Sequence, residues 1–401
     1  MIKSKRFIIY TIIFTLSLSL YVWYIWINSF NQNCVPYQNK AYQTYVDKNQ
    51  QTISIYNHRN NELLYYILSK STSITAKGTN QLVAVIDLPI SSHHEFASKI
   101  EFSDNIENNI NLSITKDIIL TDTQANPHGT EIVGLINGKT VGIAPHAMVR
   151  PIAINHTGYQ DADTSIFTNA TKLAIKDNVR IINHANTWGS ELLFYGKTKS
   201  GDIFDPYDVL DHIISSQSIL VLSAGNQGVD FTQEIDKIDH IYGNILNHQE
   251  ILDHVLYVGV FDIKSNQIAR FSNYPGNSIN LQKRFITVPN IPLVSTDDNE
   301  SYQDQLIGTS YASAVVSAAL ATLMGEDITL SAPNAADILL KTATVPCEKQ
   351  YPECQSTFYG SGMLDLEAAL NIVEKRKRDF WYPLYRSLTL SRLNYLCSIS
   401  L

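Results

Sequence analysis

Four polar residues interrupt apolar stretches in a way that suggests chemistry. Asp87 ends the run "LVAVID", where a charge stops a hydrophobic segment. His128 lies in "NPHGTEIVGLI", just ahead of a small-residue apolar helix pattern. Asn226 ends "ILVLSAGN" at a glycine turn, and Ser310 opens "TSYASAVVSAALATL", a stretch apolar enough to be buried on every side. Taken singly, these read as a surface Asp, a hydrogen-bonding His, a turn Asn and a helix-capping Ser beside Thr309. Taken together they form a set that one reaction needs. A serine hydroxyl requires a base, and imidazole supplies one. The imidazole in turn requires a carboxylate to fix its tautomer. An Asn amide and a backbone N–H at a helix start can receive an oxyanion.

The elements needed to position this set are visible as short β-rich runs: "QLVAVIDL", "MVRPIAI", "VRIINHA", "SILVLSAGN" and "HVLYVGVF". Helix-like stretches at 164–177 and 206–217 lie between them. Such alternation predicts an α/β fold, a mostly parallel sheet with helices on both faces, with ligands beyond the carboxyl ends of the strands. Composition agrees. Of 401 residues 44% are hydrophobic, enough for a large core, and a formal charge of −8 argues against nucleic-acid binding. Four cysteines are too few for a disulfide scaffold. Cys347 and Cys354 are close enough to close a small loop or to stand as two thiols.

The ends of the chain read differently. After the basic residues 1–6, Phe7 to Ile27 runs 21 residues without a charge, with Trp23, Tyr24 and Trp26 near its far end. That is a transmembrane signal-anchor pattern, and the positive-inside rule leaves the N-terminus cytosolic and the bulk of the chain exported. No small-residue cleavage site follows, which disfavours a removed signal peptide. Residues 28–78 read as a stalk or a reduced propeptide, 79–374 as the catalytic domain, and 375–401 as a basic, aromatic extension.

The ordered set resembles the subtilases, the subtilisin-like serine peptidases, over about residues 79–374. "GTSYASA" (308–314) resembles the family's nucleophile motif, "HGT" (128–130) its histidine motif, and "VAVID" and "LVLSAGN" its Asp and Asn strands. The segments "VGIAPHAMV" (141–149), "ARFSNYPGN" (269–277) and "YGSGMLDLEAAL" (359–370) also agree. The order Asp, His, Ser is that of subtilisin; an α/β-hydrolase would have a Gly-x-Ser-x-Gly elbow. The resemblance implies the subtilisin-like three-layer fold and an endopeptidase acting on polypeptides. Asp87, His128 and Ser310 would be its triad and Asn226 its oxyanion donor. It implies no cofactor for catalysis, and the structural calcium found in many relatives maps to no run of ligands here.

Departures from the family pattern carry expectations too. "NTWG" (186–189) stands in for the substrate-cradling segment, about two residues out of register, so Thr187, Trp188 and Gly189 are the candidates for pairing with a peptide strand. Leu88-Pro89 after Asp87 removes a hydroxyl that would help to orient the carboxylate. Glu131 replaces a histidine three residues after His128, and its charge should raise the imidazole pKa and move activity to higher pH. The competing reading is a decayed pseudopeptidase that binds a peptide or a partner.

Overall fold

The computed structural model describes residues 63, 67, 77–96, 119–120, 127–153, 165–176, 178–185, 206–230, 249–298, 300–345 and 356–379, with secondary structure alone for 119–120, 165–169, 206–210 and 249. All belong to one compact unit. The apolar segment 7–27, most of 28–78, Thr187–Gly189, Cys347, Cys354 and residues 380–401 lie outside the described residues. Among the described residues no helix is long and apolar enough to cross a membrane.

The apolar runs form the sheet. Strands β1 (Leu82–Asp87), β4 (Met148–Ala153), β5 (Ile181–His184), β6 (Ile219–Ser223), β7 (Val255–Asp262) and β9 (Phe285–Pro289) pair in parallel. A short β8 (Gln267–Ile268) pairs antiparallel with β7. The order is β4-β1-β5-β6-β7, with β9 also on β7. The chain leaves β1 to one side for β4 and returns to the other side for β5. The carboxyl end of β1, where Asp87 sits, is therefore the topological switch point. A two-residue parallel pair, β2 (Ile90–Ser91) with β3 (Ile119–Leu120), stands apart, as does the hairpin β10 (Leu293–Thr296) with β11 (Tyr302–Leu306).

Helices α1 (His128–Asn137), α2 (Ser165–Lys176), α3 (Pro206–Ser215), α4 (Thr309–Glu326) and α5 (Ala332–Thr342) cover the sheet, and α6 (366–379) sets Arg376 and Lys377 against Asp327 and Glu326 at the end of α4. Side chains alternate across a strand, so each strand serves both layers. On β5, Ile182 packs with Ala170 and Ala174 of α2 and Ile213 of α3. Its neighbour Asn183 points the other way and donates to Ser313 Oγ (3.1 Å) and Ser317 Oγ (3.0 Å) of α4. The stretch from Ala312 to Met324 in α4 is buried throughout, as its composition predicts, and each buried Val or Leu contributes about 1.5–3 kcal/mol. Ser313 and Thr322 are tolerated there because each hydroxyl donates to a carbonyl of its own helix.

Two glycines set how closely α1 docks. A Cβ on Gly129 would lie 2.1 Å from the Leu88 carbonyl oxygen, so only glycine lets the start of α1 rest on the chain leaving β1. A Cβ on Gly134 would lie 2.2 Å from Thr296 Oγ1 of the hairpin. The hairpin is fastened there, since Ser295 Oγ donates to the Glu131 carbonyl (2.5 Å) and Thr296 Oγ1 to that of Thr130 (2.7 Å). It leads directly into α4 and so joins the His128 helix to the Ser310 helix.

Candidate active site

Strand end and helix start meet at Asp87 and His128. Asp87 is 1% exposed, and its Oδ1 accepts from His128 Nδ1 at 2.8 Å. A carboxylate only accepts, so the imidazole proton is on Nδ1 and Nε2 carries the lone pair. The same Oδ1 accepts from the backbone N–H of Leu88 at 2.6 Å. This bond helps to orient the carboxylate, and the backbone supplies it whichever non-proline residue follows Asp87.

Burial by itself lowers the affinity of His128 for a proton. The charge and hydrogen bond of Asp87, with a smaller contribution from Glu131, more than offset this, so its pKa lies above the usual 6.5. Glu131 is itself buried, and this outweighs the hydrogen bond from Tyr311 Oη at 2.6 Å and the nearby imidazole, so its pKa lies above the usual carboxylate value.

Ser310 lies in the first turn of α4. Gly308, not Thr309 or Ser310, occupies the N-cap, and no side chain caps the helix. The expectation of a capping hydroxyl therefore fails, because both hydroxyls are used elsewhere. Ser310 Oγ donates to the carbonyl of Ala185, just past β5, at 2.7 Å. A hydroxyl has one proton, so Ser310 must give up this bond before it can offer the proton to a base. Thr309 Oγ1 accepts from Gly225 N (3.1 Å) and donates to Asn226 Oδ1 (3.0 Å), which also accepts from Thr309 N (3.0 Å). Two donors on Oδ1 assign the amide, and its Nδ2 faces the Gly308 side of the helix start. The N–H of Ser310 has no carbonyl four residues back within the helix.

The "RFSN" segment fixes the Asn226 loop from behind. Asn273 Oδ1 accepts from Gln227 N and Val229 N (both 3.1 Å), and its Nδ2 donates to Ala224 O at 2.9 Å. Neither Asn273 nor Thr309 stands out by residue type. Only their places inside the matched segments "GTSYASA" and "ARFSNYPGN" could have signalled them.

Among the described residues, His93, His94 and Glu300 bring candidate ligand atoms within 4.8 Å of one another. The two rings stack at 4.5 Å with 25° between planes, so their in-plane lone pairs do not converge on one point. His93 is engaged at both nitrogens, with the Ser301 carbonyl (2.8 Å) and Glu95 N (3.2 Å), and His94 Nδ1 pairs with Glu300. The group fits a clasp between the chain after β2 and the hairpin. His94 and Glu300 are 35% and 52% exposed, so Glu300→Gln is expected to cost under about 1 kcal/mol in chemical denaturation.

A buried Asp–His pair at the switch point of a parallel sheet and a serine in the first turn of a buried helix are the residue types a serine hydrolase uses. The chain belongs to the subtilase family, whose profile matches residues 78–362, and it is a subtilisin-like serine endopeptidase. Subtilisin DY of Bacillus licheniformis is 24% identical over 299 residues, 73% of this chain and 92% of that protein. Among solved structures, the patellamide maturation protease PatA aligns with a TM-score of 0.54 at 20% identity, covering 74% of this chain and 98% of that one. The epidermin leader peptide processing serine protease EpiP of Staphylococcus aureus gives 0.56 at 19%, covering 78% and 80%.

Proposed function

We propose that this endopeptidase cleaves polypeptides with Ser310 as nucleophile, His128 as general base and then acid, Asp87 as the carboxylate behind it, and Asn226 Nδ2 with the Ser310 N–H as oxyanion donors. The observation that carries this reading is the hydrogen bond from His128 Nδ1–H to the buried Asp87 Oδ1. It leaves Nε2 as the site that takes the Ser310 proton as Oγ attacks the scissile carbonyl. The negative charge that develops on the carbonyl oxygen falls where the α4 N-terminus and the Asn226 amide favour it. His128 then gives its proton to the leaving amine, and water repeats the sequence to release the acyl group. No cofactor enters these steps.

A polypeptide substrate is supported by the relatives, since EpiP is named for processing a leader peptide. Thr187, Trp188 and Gly189 are proposed to pair with the substrate backbone as an added strand. The charge pattern of residues 1–27 supports a single membrane anchor with a cytosolic N-terminus and a catalytic domain on the far side.

The test is labelling of the full chain in detergent with a fluorophosphonate probe, beside Ser310→Ala. Labelling is expected in the parent and none in the variant. Its rate should rise with pH through a midpoint above 6.5, because only neutral His128 can take the serine proton. A folded parent chain that stays unlabelled would instead support the peptide-binding pseudopeptidase.

A further inference from the structure

Glu131 and Tyr311 flank the proposed base and nucleophile, and they hold each other. Tyr311 follows Ser310 in α4, and Glu131 stands one turn beyond His128 on the helix of the base. The phenol donates to Glu131 Oε2 at 2.6 Å, across 180 residues of sequence. The Tyr311 ring lies against the imidazole, with 5.7 Å between centroids and 46° between planes. Glu131 is 5% exposed. A buried carboxylate at this depth is costly unless hydrogen-bonded, and its partner comes from the helix of the nucleophile.

We propose that Tyr311 and Glu131 are positioning residues for His128: the phenol keeps a second carboxylate charged and directed beside the base, where it stabilises the imidazolium formed on attack. The proposal rests on the triad reading above and extends it to Tyr311, beside the serine of its motif, and Glu131, which departs from the family pattern after His128.

The surroundings are acidic on every side. Asp87 faces His128 from β1, Glu131 from its own helix and Tyr311 from α4. Asp297 of the hairpin faces Glu131 as well, and Asp298 accepts from Thr130 Oγ1 at 3.4 Å. Burial, Asp297 and Asp87 push Glu131 toward the neutral form, and the Tyr311 hydrogen bond and the imidazole oppose them. Without the phenol, Glu131 takes up a proton more readily. Its charge beside His128 is then lost, and the imidazolium becomes less stable.

The deciding measurement is the titration of His128 by its imidazole resonances in the full chain carrying Ser310→Ala, with and without Tyr311→Phe. The midpoint is expected to fall by roughly 0.5–1 pH unit in Y311F. Glu131→Gln should give a shift of the same sign, and the double variant no larger one. An unmoved His128 in Y311F overturns the proposal. Should Y311F fail to fold, an unmoved His128 in E131Q, whose amide oxygen still accepts from Tyr311, overturns it equally. This titration needs no turnover, so it stands apart from the fluorophosphonate result that tests the triad.

Discussion

Asp87→Asn is expected to lower kcat by about 10³–10⁴, with KM and thermal stability close to those of the parent chain. The geometry makes this a measurement of charge. Asp87 Oδ1 accepts from both Leu88 N and His128 Nδ1, and an amide oxygen in its place can keep both bonds. What disappears is the negative charge facing the imidazolium. A second readout follows from the same cause. Burial alone would lower the His128 pKa, and the Asp87 charge is the largest influence opposing it. With Asn at position 87, the acid limb of the labelling rate should therefore move to lower pH while the plateau falls. A variant retaining more than a tenth of parental kcat would make the Asp87–His128 pair structural.

The second large effect belongs to Asn226. Replacing it with Ala should cost about 10²–10³ in kcat with little change in KM, the size found for such a donor in subtilisin. The amide is poised before substrate arrives, because Thr309 N and Oγ1 both occupy its oxygen. Within the same test, Thr309→Val should give a smaller loss, roughly tenfold. The backbone bond to Oδ1 survives, but the hydroxyl that accepts from Gly225 N is gone, which also costs about 1–3 kcal/mol of stability. If Thr309 acts through the amide, the double variant should be no slower than Asn226→Ala alone. Additive losses would mean that Thr309 acts on the reaction by another route. A parental kcat in Asn226→Ala would remove the amide from the oxyanion site.

Much of the fold was legible in the sequence. Each apolar run that ends in a polar residue became a parallel strand, from "VAVID" as β1 to "ILVLS" as β6. Helices α2 and α3 fall within one or two residues of the expected stretches, and α4 is buried on every side. These features are local consequences of residue type and spacing. The hairpin β10–β11 was not legible. Its strands are short, and β11 alternates exposed polar residues with half-buried ones. Its role arises from hydroxyls donated to carbonyls of α1, more than 160 residues away in the chain.

By itself the sequence determined the chemical set and its order: a carboxylate, an imidazole, an amide and a hydroxyl, each at the end of an element able to hold it. Those are properties of side-chain type, and type is what a sequence states. Tertiary structure alone decided which partner each group has. The Asp87 carboxylate takes the Nδ1–H of His128, 41 residues further along the chain. The Ser310 proton lies on Ala185, and the Glu131 carboxylate, expected to act on His128 directly, is held there by the phenol of Tyr311. Such pairings join residues far apart in the chain and depend on how closely two helices dock. For α1 that closeness comes down to a missing Cβ at Gly129.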